Sequence, residues 1–321
     1  MVALTIVMGC TLDNPPPEEP IKESAEKGYS SIPWGAMYTP NEYLTYKGMT
    51  GHIKYYRGTK GAQQLLNDLQ VAQDHNVTLI LTLGRVDPKT YLDGNRNIDM
   101  NSVLAELTPF FDVVDSIRPF INDGTVWGIR FMDEPHNPKG YPHDFQVDTQ
   151  QLGEVFSLIK SHFKNVRVGS TSPALYMMDV PHADFACGQY NHAHSPSNDP
   201  VQFFREEAAL AHQHRLGYVA SLNANTNTVG NYEFFHTYNQ ICSIEHVDFV
   251  TSWQWPHGHH LHPSFESRLN DPSPHVQAQI AQIPDSCICA KDLTVRTLIP
   301  LWVTIFLQVL ICPVYVNSSH E

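Results

Sequence analysis

The sequence predicts an α/β fold, a single-domain (β/α)8 TIM barrel, across residues 28–285. Three observations predict it. Short runs rich in Val, Ile, Leu and Thr alternate with longer amphipathic segments, the pattern of parallel strands joined by crossover helices. Eight such runs fit into about 250 residues, the size of this barrel. The stretch "PWGAMYTP" lacks the Gly-rich phosphate loop that a doubly wound sheet places after its first strand.

The candidate strands are 32–38 (IPWGAMY), 52–56 (HIKYY, the weakest), 77–83 (VTLILTL), 126–133 (VWGIRFMD), 166–171 (VRVGST), 185–191 (FACGQYN), 217–223 (GYVASLN) and 247–253 (VDFVTSW). Helices are expected at 61–76, where Leu65, Leu66, Leu69 and Ala72 share a face, and at 148–163, 200–215 and 231–246. A segment at 100–121 contains Pro109 and should break or bend there. A last helix is expected within 264–283, and the connection "SPALYMMDVPHA" is too short for a full helix.

With 20 basic and 33 acidic side chains in 321 residues, the net charge of −13 argues against nucleic acid as a partner. The six cysteines are scattered, show no zinc spacing and suggest no disulfide framework. Residues 1–27 resemble a truncated bacterial lipoprotein signal and linker, with Cys10 as the lipidated residue before a proline-rich tether. No Lys or Arg precedes the apolar run, a departure from that pattern. Residues 286–321 form a hydrophobic tail in which 298–316 is about long enough to span a bilayer. Lys291 and Arg296 before it would place its start in the cytoplasm, in conflict with an exported barrel. The expectation is an exported monomer, anchored to the membrane at the bacterial cell surface or in the periplasm.

A barrel carries its site at the C-terminal ends of its strands. There the sequence places Tyr38, Arg85, Asp87, Asp133, Glu134, His136, Tyr190, His192, Asn223, Asn225, Trp253 and Trp255. This mix of aromatic, amide and acidic groups suits a sugar: rings pack on its apolar face, and polar groups bind its hydroxyls. Alternation puts Arg130, Met132 and Glu134 in the lumen, with Trp127, Ile129, Phe131 and Asp133 on the helix side. About 13 Å of strand separates Arg130 from Glu134, so Arg130 should pair with another buried acid.

The strand ending "MDEPH" resembles the fourth strand of clan A glycoside hydrolases, which ends in Asn-Glu-Pro, and a later strand ending in Trp adds to it. A similar "DEPH" stretch occurs in bacterial barrel proteins of unassigned activity. The resemblance implies Glu134 as acid/base and Trp253 or Trp255 as the sugar platform. Two departures stand out. Asp133 replaces the Asn, and "SLNANTN" stands where the clan carries its nucleophile Glu. An amide cannot be that nucleophile. Asp87 or Asp133 is then the second carboxylate, and an inverting route with Glu134 as general acid follows. The expected partner is a carbohydrate, with no cofactor and no metal. The alternatives are a non-catalytic glycan-binding barrel, and a metal-dependent hydrolase using the histidines of "YNHAHSP" and "PHGHHLHP".

Overall fold

The computed structural model describes residues 31–137, 146–191, 197–224, 229–253 and 264–287. Seven parallel strands form one sheet in chain order: β1 (Gly51–Tyr56), β2 (Thr78–Leu83), β3 (Val126–Asp133), β4 (Arg167–Thr171), β5 (Phe185–Tyr190), β6 (Gly217–Asn223) and β7 (Phe249–Trp253). The weakest candidate strand, 52–56, is therefore a full strand. The expected first strand closes the sheet without being regular. Its backbone alternates between the two edges: Gly35 and Met37 N–H donate to Val250 and Ser252, and Tyr38 N–H donates to Ile53. The result is a nearly closed (β/α)8-type barrel, as expected.

Around it run α1 (Gly58–Asp74), α2 (Met100–Phe111), α3 (Val114–Asn122), α4 (Thr149–His162), α5 (Ala174–Met177), α6 (Pro200–Gln213), α7 (Asn231–Cys242), α8 (Phe265–Leu269) and α9 (Pro274–Ser286). Asp99, Asp148 and Asp199 cap α2, α4 and α6 by accepting from first-turn N–H groups, the ordinary role of a carboxylate there. The expected break at Pro109 falls later. α2 runs through the proline to Phe111, and the chain leaves helical geometry at Val113 (φ −113°, ψ 11°). The proline removes one i→i−4 donor, and the helix ends two residues later.

Two apolar layers result. Leu79, Leu81, Ile129, Phe131, Val168 and Ala220 pack outward against the helices. Ile53, Ile80, Phe185, Cys187, Val219 and Phe249 fill the lumen. Both faces of the sheet are buried, hence the near-continuous apolar run of β2.

A disulfide joins Cys242 at the end of α7 to Cys287 after α9, across 45 residues of sequence. This overturns the expectation of no disulfide. The scatter of cysteines along the chain concealed a pair that the packing of α7 against α9 brings together. Among the described residues no helix is long and apolar enough to cross a membrane. Cys10 and the stretch 298–316 lie outside them.

Candidate functional site

β3 sets the site, and it does so through two irregularities. Val126 pairs with Leu79 but Gly128 with Ile80, so Trp127 is an extra residue. Its ring enters the lumen, 5.0 Å from that of Phe185 and 6.1 Å from that of Phe249. Further on, Arg130 pairs with Gly169 but Asp133 with Thr171, so β3 again carries one residue too many. Met132 absorbs it at φ 62° and packs in the helix-side layer. A bulge of this kind re-aims the residues beyond it. The simple alternation predicted for this strand is therefore wrong at three residues. Trp127 faces the lumen, Met132 faces the helices, and Asp133 turns inward to Arg130.

Arg130 is fully buried. Its Nε donates to Thr82 Oγ1 at 2.9 Å, Nη1 to Thr171 Oγ1 at 2.7 Å and Nη2 to the Tyr38 hydroxyl at 3.3 Å. Asp133 Oδ1 lies 3.5 Å from Nη1. The buried acid expected for Arg130 is thus Asp133. Burial works against the guanidinium charge, but Tyr38 and Asp133 more than offset it and raise its pKa. Burial likewise pushes the Tyr38 phenol up, against the opposing charge of Arg130. Tyr38 has φ 65°, so it and Glu134 both hold conformations that non-glycine residues seldom adopt.

Glu134 follows β3 at φ 47°. Its N–H donates to Thr171 O at 3.0 Å, and its Oε2 accepts from Asn137 Nδ2 at 3.1 Å. Burial, then the nearby Asp133 charge, raises its pKa, against the weaker pull of Asn137 and Arg130. Both main causes favour the protonated form. His136 Nδ1 pairs with Ser172 Oγ at 3.0 Å, and burial lowers its pKa to about 4, so the ring is neutral near pH 7.

The other predicted residues divide. Trp253 and Tyr38 stand together at the mouth, ring centroids 5.6 Å apart. Asn223 pairs in register with Trp253 and takes the lumen side. Asp87 caps a short 3-10 turn by accepting from Lys89 N–H at 3.0 Å. Arg85 is exposed and pairs with Glu106 at 3.0 Å. Tyr190 does not reach the mouth. It points outward, packs on Phe203 and Phe204 of α6, and donates its hydroxyl to Ser197 O. Alternation from the lumen residues Phe185 and Cys187 puts Gln189 inside instead. His192, Asn225 and Trp255 lie outside the described residues, as do the histidine-rich runs from 192 and from 257. Among the described residues no cluster of His, Cys, Asp and Glu could hold a metal.

One feature was not anticipated: a cleft of ≈ 660 Å³ at the β1 rim. Tyr38, Tyr55, Val86 and Trp253 line its mouth side, and Asn41, Glu42, Lys54, Gln64 and Asp68 its outer side. Lys54 Nζ lies 2.7 Å from Asp68 Oδ2 and donates to Asn41. Asp68 also accepts from Asn41 at 2.6 Å, Gln64 at 2.6 Å and the Tyr56 hydroxyl at 2.9 Å. Burial lowers the Lys54 pKa. Burial would raise that of Asp68, but Lys54 and the amide donors outweigh it and lower it. A sequence signal existed, since Asp68 sits among Leu65, Leu69 and Ala72 on the buried face of α1.

No family model matches the sequence, and no curated protein matches it. Solved structures do match in fold. An endo-1,4-β-mannanase from Rhizomucor miehei superimposes with a TM-score of 0.52 at 10% identity, covering 80% of this chain and 94% of that one. Thermotoga maritima Cel5A, solved with cellobiose, gives 0.54 at 8% identity, over 78% and 97%. A hyperthermophilic endo-β-1,4-glucanase solved with substrate gives 0.52 at 10%, over 78% and 96%. These neighbours are clan A glycoside hydrolases, the group that the strand ending in Glu134 resembles. At such identities the likeness is one of fold.

Proposed function

We propose that the barrel is a glycosidase acting on a carbohydrate at the mouth around Glu134, with Glu134 as general acid. The observation that carries this reading is the state of that carboxyl. It stands at the C-terminal end of a barrel strand, half-buried, with its proton affinity raised by burial and by Asp133. A general acid needs this, because the group must still hold its proton near neutral pH in order to give it to the leaving oxygen. Tyr38 and Trp253 supply aromatic surface at the same end of the barrel. The shared fold with a mannanase, with Cel5A in complex with cellobiose and with an endo-β-1,4-glucanase supports a carbohydrate ligand.

Asp133 is the better second carboxylate of the two considered. It turns into the lumen and is charge-coupled to Glu134, whereas Asp87 is engaged as a turn cap. Acting as base on a water, it would give inversion of configuration. Glu134→Gln should lower kcat roughly 100- to 10,000-fold. Activity of the parent protein should fall as pH rises through the raised Glu134 pKa, and that limb should vanish in the variant. An undiminished kcat in Glu134→Gln removes the assignment.

A second reading, a glycan-binding barrel without turnover, is favoured by one observation: Asn223, not an acid, ends β6. Product release from any glycan, abolished by Glu134→Gln, excludes it. The disulfide between Cys242 and Cys287 supports export to an oxidising compartment. Membrane anchoring through Cys10 belongs to the same proposal. Detection of both cysteines as free thiols in native protein argues against export.

A further inference from the structure

We propose that the cleft over the rim of β1 holds a further ring of a neutral oligosaccharide whose reacting unit lies at Glu134. The inference rests on the carbohydrate reading and adds a length and a direction. The chain would leave the mouth across β1 and lie between the Tyr38–Glu42 segment and α1.

The cleft is built from both faces of one strand. Tyr55 neighbours the lumen residue Ile53 by alternation, whereas Lys54 faces α1, where Asp68 meets it. A cavity lined by both crosses the rim. Its ≈ 660 Å³ lies in the range of sites that enclose ligands larger than one monosaccharide. The mouth side is a bent aromatic wall. Tyr38 meets Trp253 at 73° and Tyr55 at 86°, so the rings present faces in two directions. Sugar rings offer one apolar face each, and successive rings of a chain can use successive faces.

The outer side is polar and carries an ion pair at its base. Lys54 has 8% of its surface exposed and Asp68 2%. Such a pair is weak evidence of a stabilising role, because desolvation offsets most of its attraction. Its arrangement suits recognition. Asp68 is saturated by four donors. Lys54 uses two N–H groups, on Asp68 and Asn41, and an ammonium has three. The third can serve a ligand hydroxyl. Gln64 and Glu42 stand exposed at the edge and add an amide oxygen and a carboxylate as acceptors for hydroxyl protons. The charges also choose the class. Lys54 is balanced by Asp68, and Glu42 leaves the outer side negative, which disfavours uronic-acid or sulfated chains.

The test uses full-length Glu134→Gln protein, so that no ligand is consumed. It is titrated calorimetrically with neutral gluco-, manno-, xylo- and galacto-oligosaccharides of one to six rings, α- and β-linked, and with oligouronates. Affinity should rise with length over the first rings. Adding Tyr55→Ala, a residue 38% exposed, should cost the longer chains about tenfold and monosaccharide about twofold or less. Gln64→Ala, on the surface of α1, should act in the same direction and more weakly. Equal length dependence with and without these substitutions overturns the inference while leaving the carbohydrate reading intact. Oligouronates binding as tightly as neutral chains overturn the neutral class. No binding by any member of the panel sinks the carbohydrate reading itself.

Discussion

The floor and the mouth of the lumen are built on opposite principles. At the floor, Trp127, Phe185 and Phe249 meet ring to ring, and glycines make room for them. A Cβ on Gly169 would come within 2.8 Å of the Phe185 ring, and one on Gly51 within 2.6 Å of Phe249. At the mouth a buried guanidinium, a carboxylate, a phenol and two threonine hydroxyls form one network. The floor stabilises by removing apolar surface from water, at about 25 cal/mol per Å². The mouth gains little net stability, since burying charge costs nearly what pairing returns. Two residues at its edge, Tyr38 and Glu134, also hold positive φ. A buried ion pair thus stands over a well-packed apolar floor.

The largest test of this contrast is Arg130→Met. Removing one partner leaves the buried Asp133 charge without its cation, a loss of about 3–5 kcal/mol. Adding Asp133→Leu should recover most of it, because both charges then go. Urea unfolding of the two variants measures this. A loss below about 1 kcal/mol in the single variant, or no recovery in the double, means that the mouth is not held by its charges.

Thr171→Val probes the same network one step down. The change is nearly isosteric, but it removes the oxygen to which Arg130 Nη1 donates at 2.7 Å. An unsatisfied buried donor on a charged group should cost about 1.5–3 kcal/mol, read again from urea midpoints. Unchanged stability would show that Asp133 and the Met37 sulfur, 3.8 Å away, suffice for Nη1.

The same division governs what the sequence reveals. The barrel was legible because strand and helix periods differ and each run is long enough to show its own. The floor follows from that pattern, apart from Trp127. The mouth does not, because the bulges of β3 each add a residue without any local signature. A slip of one residue exchanges the two faces, so alternation alone turns Asp133 to the helices and Met132 to the lumen. Glu134 was legible as a residue, at the end of a buried strand, but not its coupling to Asp133. Position at the strand end alone suggests Tyr190 for the mouth. Alternation counted from Phe185 would have sent it outward to α6. Cys242 and Cys287 pair through helix packing that spacing along the chain cannot show.

The smallest effect expected is also the control for the whole contrast. Ile53 lies in the lumen layer, on the same strand as Lys54 and Tyr55, and its carbonyl accepts from Tyr38 N–H, a bond that a side-chain change leaves in place. Ile53→Val removes one methylene from a packed interior and should cost about 0.5–1.5 kcal/mol. Since neither the Arg130 network nor Glu134 changes, kcat/KM and the alkaline limb of the pH profile should stay at parent values. If that limb moves, the packing below the mouth is setting the proton affinity of Glu134, and floor and mouth are one mechanical unit. If it does not, stability and proton affinity are separable within a single lumen, with the boundary between Ile53 and Arg130.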